Sequence, residues 1–141
     1  MNRKRARESA LQALYGWNLS GYDIFDIENQ FLLYLQNKNL DLLYFHDLLQ
    51  GVVTNYNEID KLIKLNINRR LEHVGQVEKV ILRISIFELI YRNEIPYKVI
   101  INEGIELSKI FGAQDSYKFI NGVLDAIAMK LGLCQKYKIT K

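Results

Sequence analysis

The chain has very little proline and cysteine, with one residue of each among 141, and only eight glycines. So few backbone breakers favour long regular elements over a loop-rich all-β fold. The single cysteine, Cys134, cannot form an internal disulfide. No apolar run approaches the roughly 18 residues of a membrane-spanning helix, and no signal-peptide pattern opens the chain. These absences predict a soluble, cytoplasmic protein with no membrane association.

Recognisable catalytic motifs are also missing. The chain has no glycine-rich phosphate loop, no paired CxxC, no HExxH and no GxSxG. Glu103 and Glu106 lie three apart, but no histidine or third carboxylate is near them in sequence. His46 is expected to be a surface or packing residue rather than a ligand, and His73 has no cysteine, serine or second histidine at a useful spacing. We therefore expect a binding module that is not an enzyme and holds no metal and no cofactor.

The net charge of +3 is unevenly distributed along the chain. Residues 1–7 carry four bases and residues 130–141 carry four more, and neither segment contains an acid. The residues between them hold eleven bases against all sixteen acids. Basic ends on an acidic body predict a polyanionic partner near the termini. The alternative is that the basic ends only aid solubility, and this explanation is favoured for the C-terminus more than for the N-terminus.

Hydrophobic periodicity predicts helices throughout. The segment from Val77 to Tyr91 is apolar around almost its whole circumference, which is typical of a central, buried helix. Its few polar side chains are expected to emerge at its ends or along a narrow strip. The polar, glycine-terminated segment from Asn66 to Gly75 marks a division of one domain into subdomains at about 1–68 and 74–135. Further helices are expected over 3–17, from about 23 to 37, from 41 to about 56, through 59–65, and over 97–111 and 117–131. The prediction is an all-α fold of two small helical subdomains around a central buried helix.

The first predicted helix has two different faces. Its alanines fall on one side with Trp17, whereas Lys4, Glu8, Gln12 and Tyr15 fall roughly opposite, with Arg5 beside them. Cations followed by an aromatic ring are the combination that binds single-stranded nucleic acid, through phosphates and stacked bases. The alternative is an ordinary solvated face with Tyr15 at its rim.

A second aromatic position lies on the last predicted helix, which Asp115 or Ser116 is expected to cap. Phe119 falls off the buried stripe of that helix and close to Lys118 and Gly122. Such a ring could stack on a nucleobase. The alternative is packing against a neighbouring helix.

Five segments resemble one family, that of the transcription antitermination factor NusB. They are RARESALQALYGW at 5–17, LYFHDLLQGV at 43–52, GQVEKVILRISIFEL at 75–89, IPYKVIINEGIELSKIFGA at 95–113 and DSYKFINGVLDAI at 115–127. The resemblance implies a NusB-like helical fold without enzymatic activity. It also implies binding of the boxA element of ribosomal RNA leader transcripts together with NusE, a protein of the small ribosomal subunit. The pair would act in an antitermination complex on RNA polymerase.

The resemblance also implies site residues. The RNA-binding residues would be Arg3, Lys4, Arg5, Arg7, Gln12, Tyr15, Lys118 and Phe119. The interface with NusE would involve Gln76, Glu78, Lys79, Arg83 and Glu88. Asp115 matches a position at the RNA-facing edge, where its acid would tune affinity by repulsion. Because the basic start is short, we expect weak RNA binding alone and tighter binding with NusE.

Two other functions are compatible with the same pattern. One is a helical module that guides an enzyme to ribosomal RNA, since this fold occurs fused to ribosomal RNA methyltransferases. The other is a homodimeric interaction protein, since some members of the family dimerise across the RNA face. Neither would need antitermination activity.

Overall fold

The computed structural model describes residues 2–134, and every regular element in that range is helical. The α-helices are α1 (Arg3–Ser20), α2 (Ile24–Leu35), α3 (Leu42–Thr54), α4 (Tyr56–Leu65), α5 (Gln76–Tyr91), α6 (Tyr97–Phe111) and α7 (Ser116–Lys130). A short 3-10 helix spans Leu71–His73. The predicted all-α class is confirmed. The basic residues Lys136, Lys138 and Lys141 lie outside the described part of the chain.

Side-chain caps define where the first three helices begin. Asn2, Asp23 and Asp41 each accept a hydrogen bond from a backbone N–H in the first turn of the helix that follows. These bonds satisfy amides that have no partner within the helix. At the end of α1, Gly21 has φ of 72° and its N–H donates to the Trp17 carbonyl at 3.1 Å. Glycine adopts this left-handed conformation without strain, so the helix ends there.

The first compact unit of the chain ends at Tyr56 and contains α1, α2 and α3. On α1, Ala6, Ala10 and Ala13 are fully buried, and the small side chains let the helix lie close to its neighbours. The buried residues of α3 are Tyr44, Phe45, Leu48, Leu49 and Val52. This core fixes which face of α1 remains exposed to solvent.

The second compact unit begins at Asn57, and α5, α6 and α7 pack against one another within it. Every residue from Ile81 to Leu89 is buried, as the apolar circumference of α5 predicts. A Cβ added at Gly104 of α6 would lie 2.8 Å from Ser85 Oγ and 3.2 Å from Leu124 Cδ1. Only glycine therefore allows the three helices to approach this closely at that point.

The division between the two units falls at the start of α4, whereas the sequence places it after that helix. An ion pair between Asp60 of α4 and Arg83 of α5 lies within the second unit. The predicted arrangement, one domain with subdomains at about 1–68 and 74–135, stays a prediction.

One expectation about α5 is wrong. Its polar side chains were expected to emerge at the helix ends or along a strip, yet Lys79, Arg83 and Glu88 are buried, at 8%, 3% and 1% exposure. The cause is visible for Arg83, whose guanidinium donates two hydrogen bonds to the Asp60 carboxylate. A buried partner removes the need for a charged side chain to reach solvent.

Candidate nucleic-acid interface

The basic start of α1 is tied to the start of α3. The Asn2 side chain accepts a hydrogen bond from the Arg5 amide at 3.0 Å, and the Asn2 carbonyl accepts one from the Asp41 amide at 3.1 Å. Asp41 in turn caps α3 by accepting from the Tyr44 amide at 3.0 Å. The first turn of α1 is therefore held in place by its neighbour and is not a loose tail.

Two of the four basic side chains in this segment point toward α3. The guanidinium carbon of Arg3 lies 4.3 Å from the centre of the Tyr44 ring, and that of Arg7 lies 5.5 Å from it. Arg3 also forms a long ion pair with Asp41, at 3.8 Å. Tyr44 is buried, and Arg7 is only 5% exposed. Both arginines thus contribute cation–π contacts that fasten α1 to α3, and Arg7 keeps little surface for another ligand.

The other two cations point outward. Lys4 and Arg5 are exposed, and neither side chain forms an ion pair with any residue between 2 and 134. Gln12 is exposed and Tyr15 is half-buried on the same side of α1, where the half-buried Glu8 also lies. The result is a face with two cations at one end and an amide and an aromatic ring further along. A polyanion carrying flat bases fits this face.

The second predicted patch has an additional component. Lys118 is exposed and Phe119 half-buried on the first turn of α7. The guanidinium carbon of Arg69, in the loop after α4, lies 4.2 Å from the centre of the Phe119 ring. These residues line a cavity of about 420 Å³, together with Asn66, Ile67, Asn68, Gly122 and Val123. Asp115 occupies the N-cap position of α7 with φ of 67°, but its side chain accepts no capping hydrogen bond.

Sequence reasoning missed Arg69. The polar segment that contains it reads as a boundary between subdomains, and nothing in that pattern pairs it with an aromatic ring on a distant helix. The one feature of the sequence that could have indicated a role for Arg69 is its neighbour Arg70, because two adjacent cations in a loop indicate a charged surface.

The five residues assigned to the NusE interface differ in their exposure to solvent. Gln76 is exposed at the start of α5 and Glu78 is half-buried. The Glu78 carboxylate accepts a hydrogen bond from the Ala113 amide at 3.1 Å, which ties α5 to the link between α6 and α7. Lys79, Arg83 and Glu88 lie in the interior. Only the first turn of α5 presents predicted partner residues to solvent.

No cluster with metal-binding character is present among residues 2–134. The half-exposed His46 contacts the buried carboxylate of Glu28, which also accepts a hydrogen bond from Gln50 at 3.1 Å. This set satisfies a buried charge between α2 and α3. Within the described range, no helix is both long enough and apolar enough to cross a membrane.

The all-helical fold, the outward cations and the aromatic side chains are those of a helical nucleic-acid-binding protein. Comparison with known proteins identifies the particular family. The model of the NusB family matches residues 4–129. Transcription antitermination protein NusB of Cronobacter sakazakii is 57% identical over 126 residues, which cover 89% of this chain and 91% of the relative. The NusB protein of Erwinia tasmaniensis is 57% identical over 129 residues, covering 92% and 93%.

The chain therefore belongs to the NusB family. A solved structure of the antitermination factors NusB and NusE in complex with double-stranded RNA matches with a TM-score of 0.82 and 29% identity, covering 91% of this chain and 96% of that one. The family is one of transcription antitermination proteins without enzymatic activity, so the predicted identity, NusB-like fold and absence of catalysis are confirmed.

Proposed function

We propose that this protein binds boxA-type RNA of ribosomal RNA leader transcripts jointly with NusE, within an antitermination complex on RNA polymerase in the cytoplasm. Two findings support the proposal: membership of the NusB family, and the likeness to a NusB structure that contains NusE and RNA. The observation that carries it for this chain is the division of the four cations at the start of α1, two inward and two outward.

The outward pair supplies the electrostatic attraction. Lys4 and Arg5 are exposed and form no ion pair with any residue between 2 and 134, so a phosphate can approach them without breaking an existing ion pair. Phosphate contacts fix the position of an RNA strand and make its affinity dependent on salt. Arg3 and Arg7 act through Tyr44, because they hold the first turn of α1 in the orientation that presents Lys4 and Arg5. Arg3, which remains partly exposed, can reach a phosphate as well.

Base contacts would come from the rest of the face and from α7. The half-buried ring of Tyr15 and the amide of Gln12 offer a stacking surface and hydrogen bonds to a base edge. Lys118 and Phe119 offer the same combination of charge and ring on the other compact unit. Asp115, exposed at the start of α7, would weaken the attraction of phosphates to Lys118.

The contact with NusE is proposed to centre on the first turn of α5, where Gln76 is exposed and Glu78 half-buried. The other three predicted residues, Lys79, Arg83 and Glu88, would support this surface from the interior.

The test is an anisotropy titration of a fluorescent boxA-like RNA with the protein alone, with NusE alone and with both. The proposal expects weak binding by the protein alone and binding at least about tenfold tighter with both proteins present, because two surfaces then share one strand. A scrambled RNA of the same length should lose most of this gain. Equal affinity with and without NusE would overturn joint recognition. Light scattering shows whether the free protein is a homodimer, and the same measurement after addition of RNA shows whether that dimer dissociates.

A further inference from the structure

The stacked pair of Arg69 and Phe119 carries an inference that rests on the proposed function. We propose that Arg69, held flat against Phe119, is a platform on which one unpaired nucleobase of the bound RNA stacks. The adjoining cavity of about 420 Å³ would accept that base. This assigns a base-binding role to a residue of the loop after α4.

The geometry favours a base over a phosphate as the ligand of this site. A guanidinium is planar and stacks on aromatic rings and on bases with either face. At 4.2 Å from the centre of the Phe119 ring, the guanidinium carbon of Arg69 is already in contact with one face of the ring. Its other face is available, because Arg69 is exposed and forms no ion pair with any residue between 2 and 134.

A base cannot slide between the two side chains while they keep this separation. Each layer of a stack needs about 3.5 Å, so an inserted base would require about 7 Å between guanidinium and ring. The base must therefore lie on the outer face of Arg69 or displace Arg69 altogether. We infer the first arrangement, because Phe119 already orders the guanidinium and the ordering cost of the platform is then small.

The cavity supplies what a stacked base still needs. Asn66 and Asn68 both line it, and the side chain of each carries a donor and an acceptor. The side-chain nitrogen of Asn66, Nδ2, donates to the Leu62 carbonyl at 2.8 Å. The side-chain oxygen of Asn66 can then accept a hydrogen bond from a base edge. Gly122 lines the same cavity, and a Cβ there would meet no atom within 4 Å. The space beside the platform is therefore open.

The experiment places 2-aminopurine, a fluorescent base that is quenched by stacking, at successive positions of a single-stranded boxA-like RNA. Wild type is compared with Arg69→Ala, Arg69→Lys and Arg70→Ala, all in the presence of NusE. Arg70 is the matched control, since it is an exposed arginine next to Arg69 that does not line the cavity. Urea unfolding of each variant verifies that the fold is retained.

The proposal expects one RNA position whose fluorescence is quenched by wild type and by Arg70→Ala but not by Arg69→Ala. Loss of the platform should weaken binding about 5- to 20-fold. Arg69→Lys should lose the quenching and most of that affinity while keeping the salt dependence of wild type, because it retains the charge but not the plane.

Unchanged quenching in Arg69→Ala would overturn the platform. A higher affinity of Arg69→Ala for the RNA would overturn it as well, because that result is expected if a base must displace Arg69 from Phe119. If the wild-type protein with NusE does not bind this RNA, the proposed RNA-binding function is itself wrong, which distinguishes that outcome from the loss of this subsite alone.

Discussion

Arg83 of α5 donates two hydrogen bonds to Asp60 of α4, from Nε to Oδ1 at 2.8 Å and from Nη2 to Oδ2 at 3.0 Å. The Arg83 side chain is 4% exposed and that of Asp60 10%. Planar, two-pronged pairing of this kind is the strongest geometry available to a guanidinium and a carboxylate. The pair joins α4 to the buried helix α5.

Removing one member of this pair should destabilise the protein severely. Asp60→Ala removes the carboxylate that pairs with the buried guanidinium of Arg83, and we expect a loss of about 3–5 kcal/mol in the free energy of unfolding. The double variant Asp60→Leu/Arg83→Met should lie within about 1 kcal/mol of wild type or above it, because both charges of this pair are then removed together and neither remains buried without the other. Urea unfolding followed by circular dichroism measures both. An Asp60→Ala protein within about 1 kcal/mol of wild type would show that water reaches Arg83.

The close contact at Gly104 predicts a second effect on stability. Gly104→Ala places a methyl group 2.8 Å from Ser85 Oγ, so neighbouring helices must shift, and we expect a loss of about 1–3 kcal/mol. Adding Ser85→Ala should recover part of this loss. Gly16→Ala on α1 is the control, since a Cβ there meets nothing within 4 Å and should stabilise the helix by about 0.5–1 kcal/mol. Thermal unfolding in which Gly104→Ala stabilised as much as Gly16→Ala would contradict the packing described.

Tyr91 predicts a dependence of stability on alkaline pH. Partial desolvation, followed by the Glu58 carboxylate 3.3 Å away, raises the pKa of the Tyr91 phenol above its ordinary value of 10.0. Because the folded state holds the neutral phenol more tightly than the unfolded state, this contribution is complete below pH 10 and is lost as pH rises through the raised pKa. The free energy of unfolding of Tyr91→Phe should therefore fall less than that of wild type between about pH 9 and pH 11. Tyr22→Phe, at an exposed position, is the control, and identical curves for all three proteins would exclude the effect.

The sequence predicts the helices well because their apolar spacing is a local property. Residues that recur with the helical period are buried on α3 and α7, for example Leu48 and Leu49 on α3 and Ile120 and Leu124 on α7. Asp23 and Asp41, where the second and third helices were expected to begin, cap α2 and α3 in the structure, whereas Asp115, an expected cap of the last helix, accepts no capping hydrogen bond.

What the sequence could not predict depends on partners distant in the chain. From its polarity alone, Arg83 was expected to be exposed. Nothing near it in the sequence reveals the Asp60 carboxylate that allows it to be buried. In the same way, four basic residues near the start look equivalent until Tyr44 of α3 is seen to engage Arg3 and Arg7. Arg69 went unnoticed because its ring partner, Phe119, lies on another helix.

The salt dependence of the affinity for RNA is the most direct test of whether Lys4 and Arg5 of α1 contact phosphates. Anisotropy of a single-stranded boxA-like RNA is measured with NusE present at several salt concentrations, for wild type and for Lys4→Ala/Arg5→Ala. The control, Lys61→Ala/Lys98→Ala, removes two exposed lysines from α4 and α6. We expect weaker binding by the α1 variant, with a slope of log affinity against log salt reduced by about 1.4, and wild-type behaviour of the control. An unchanged slope in the α1 variant would show that Lys4 and Arg5 do not contact phosphates, and would overturn their proposed role.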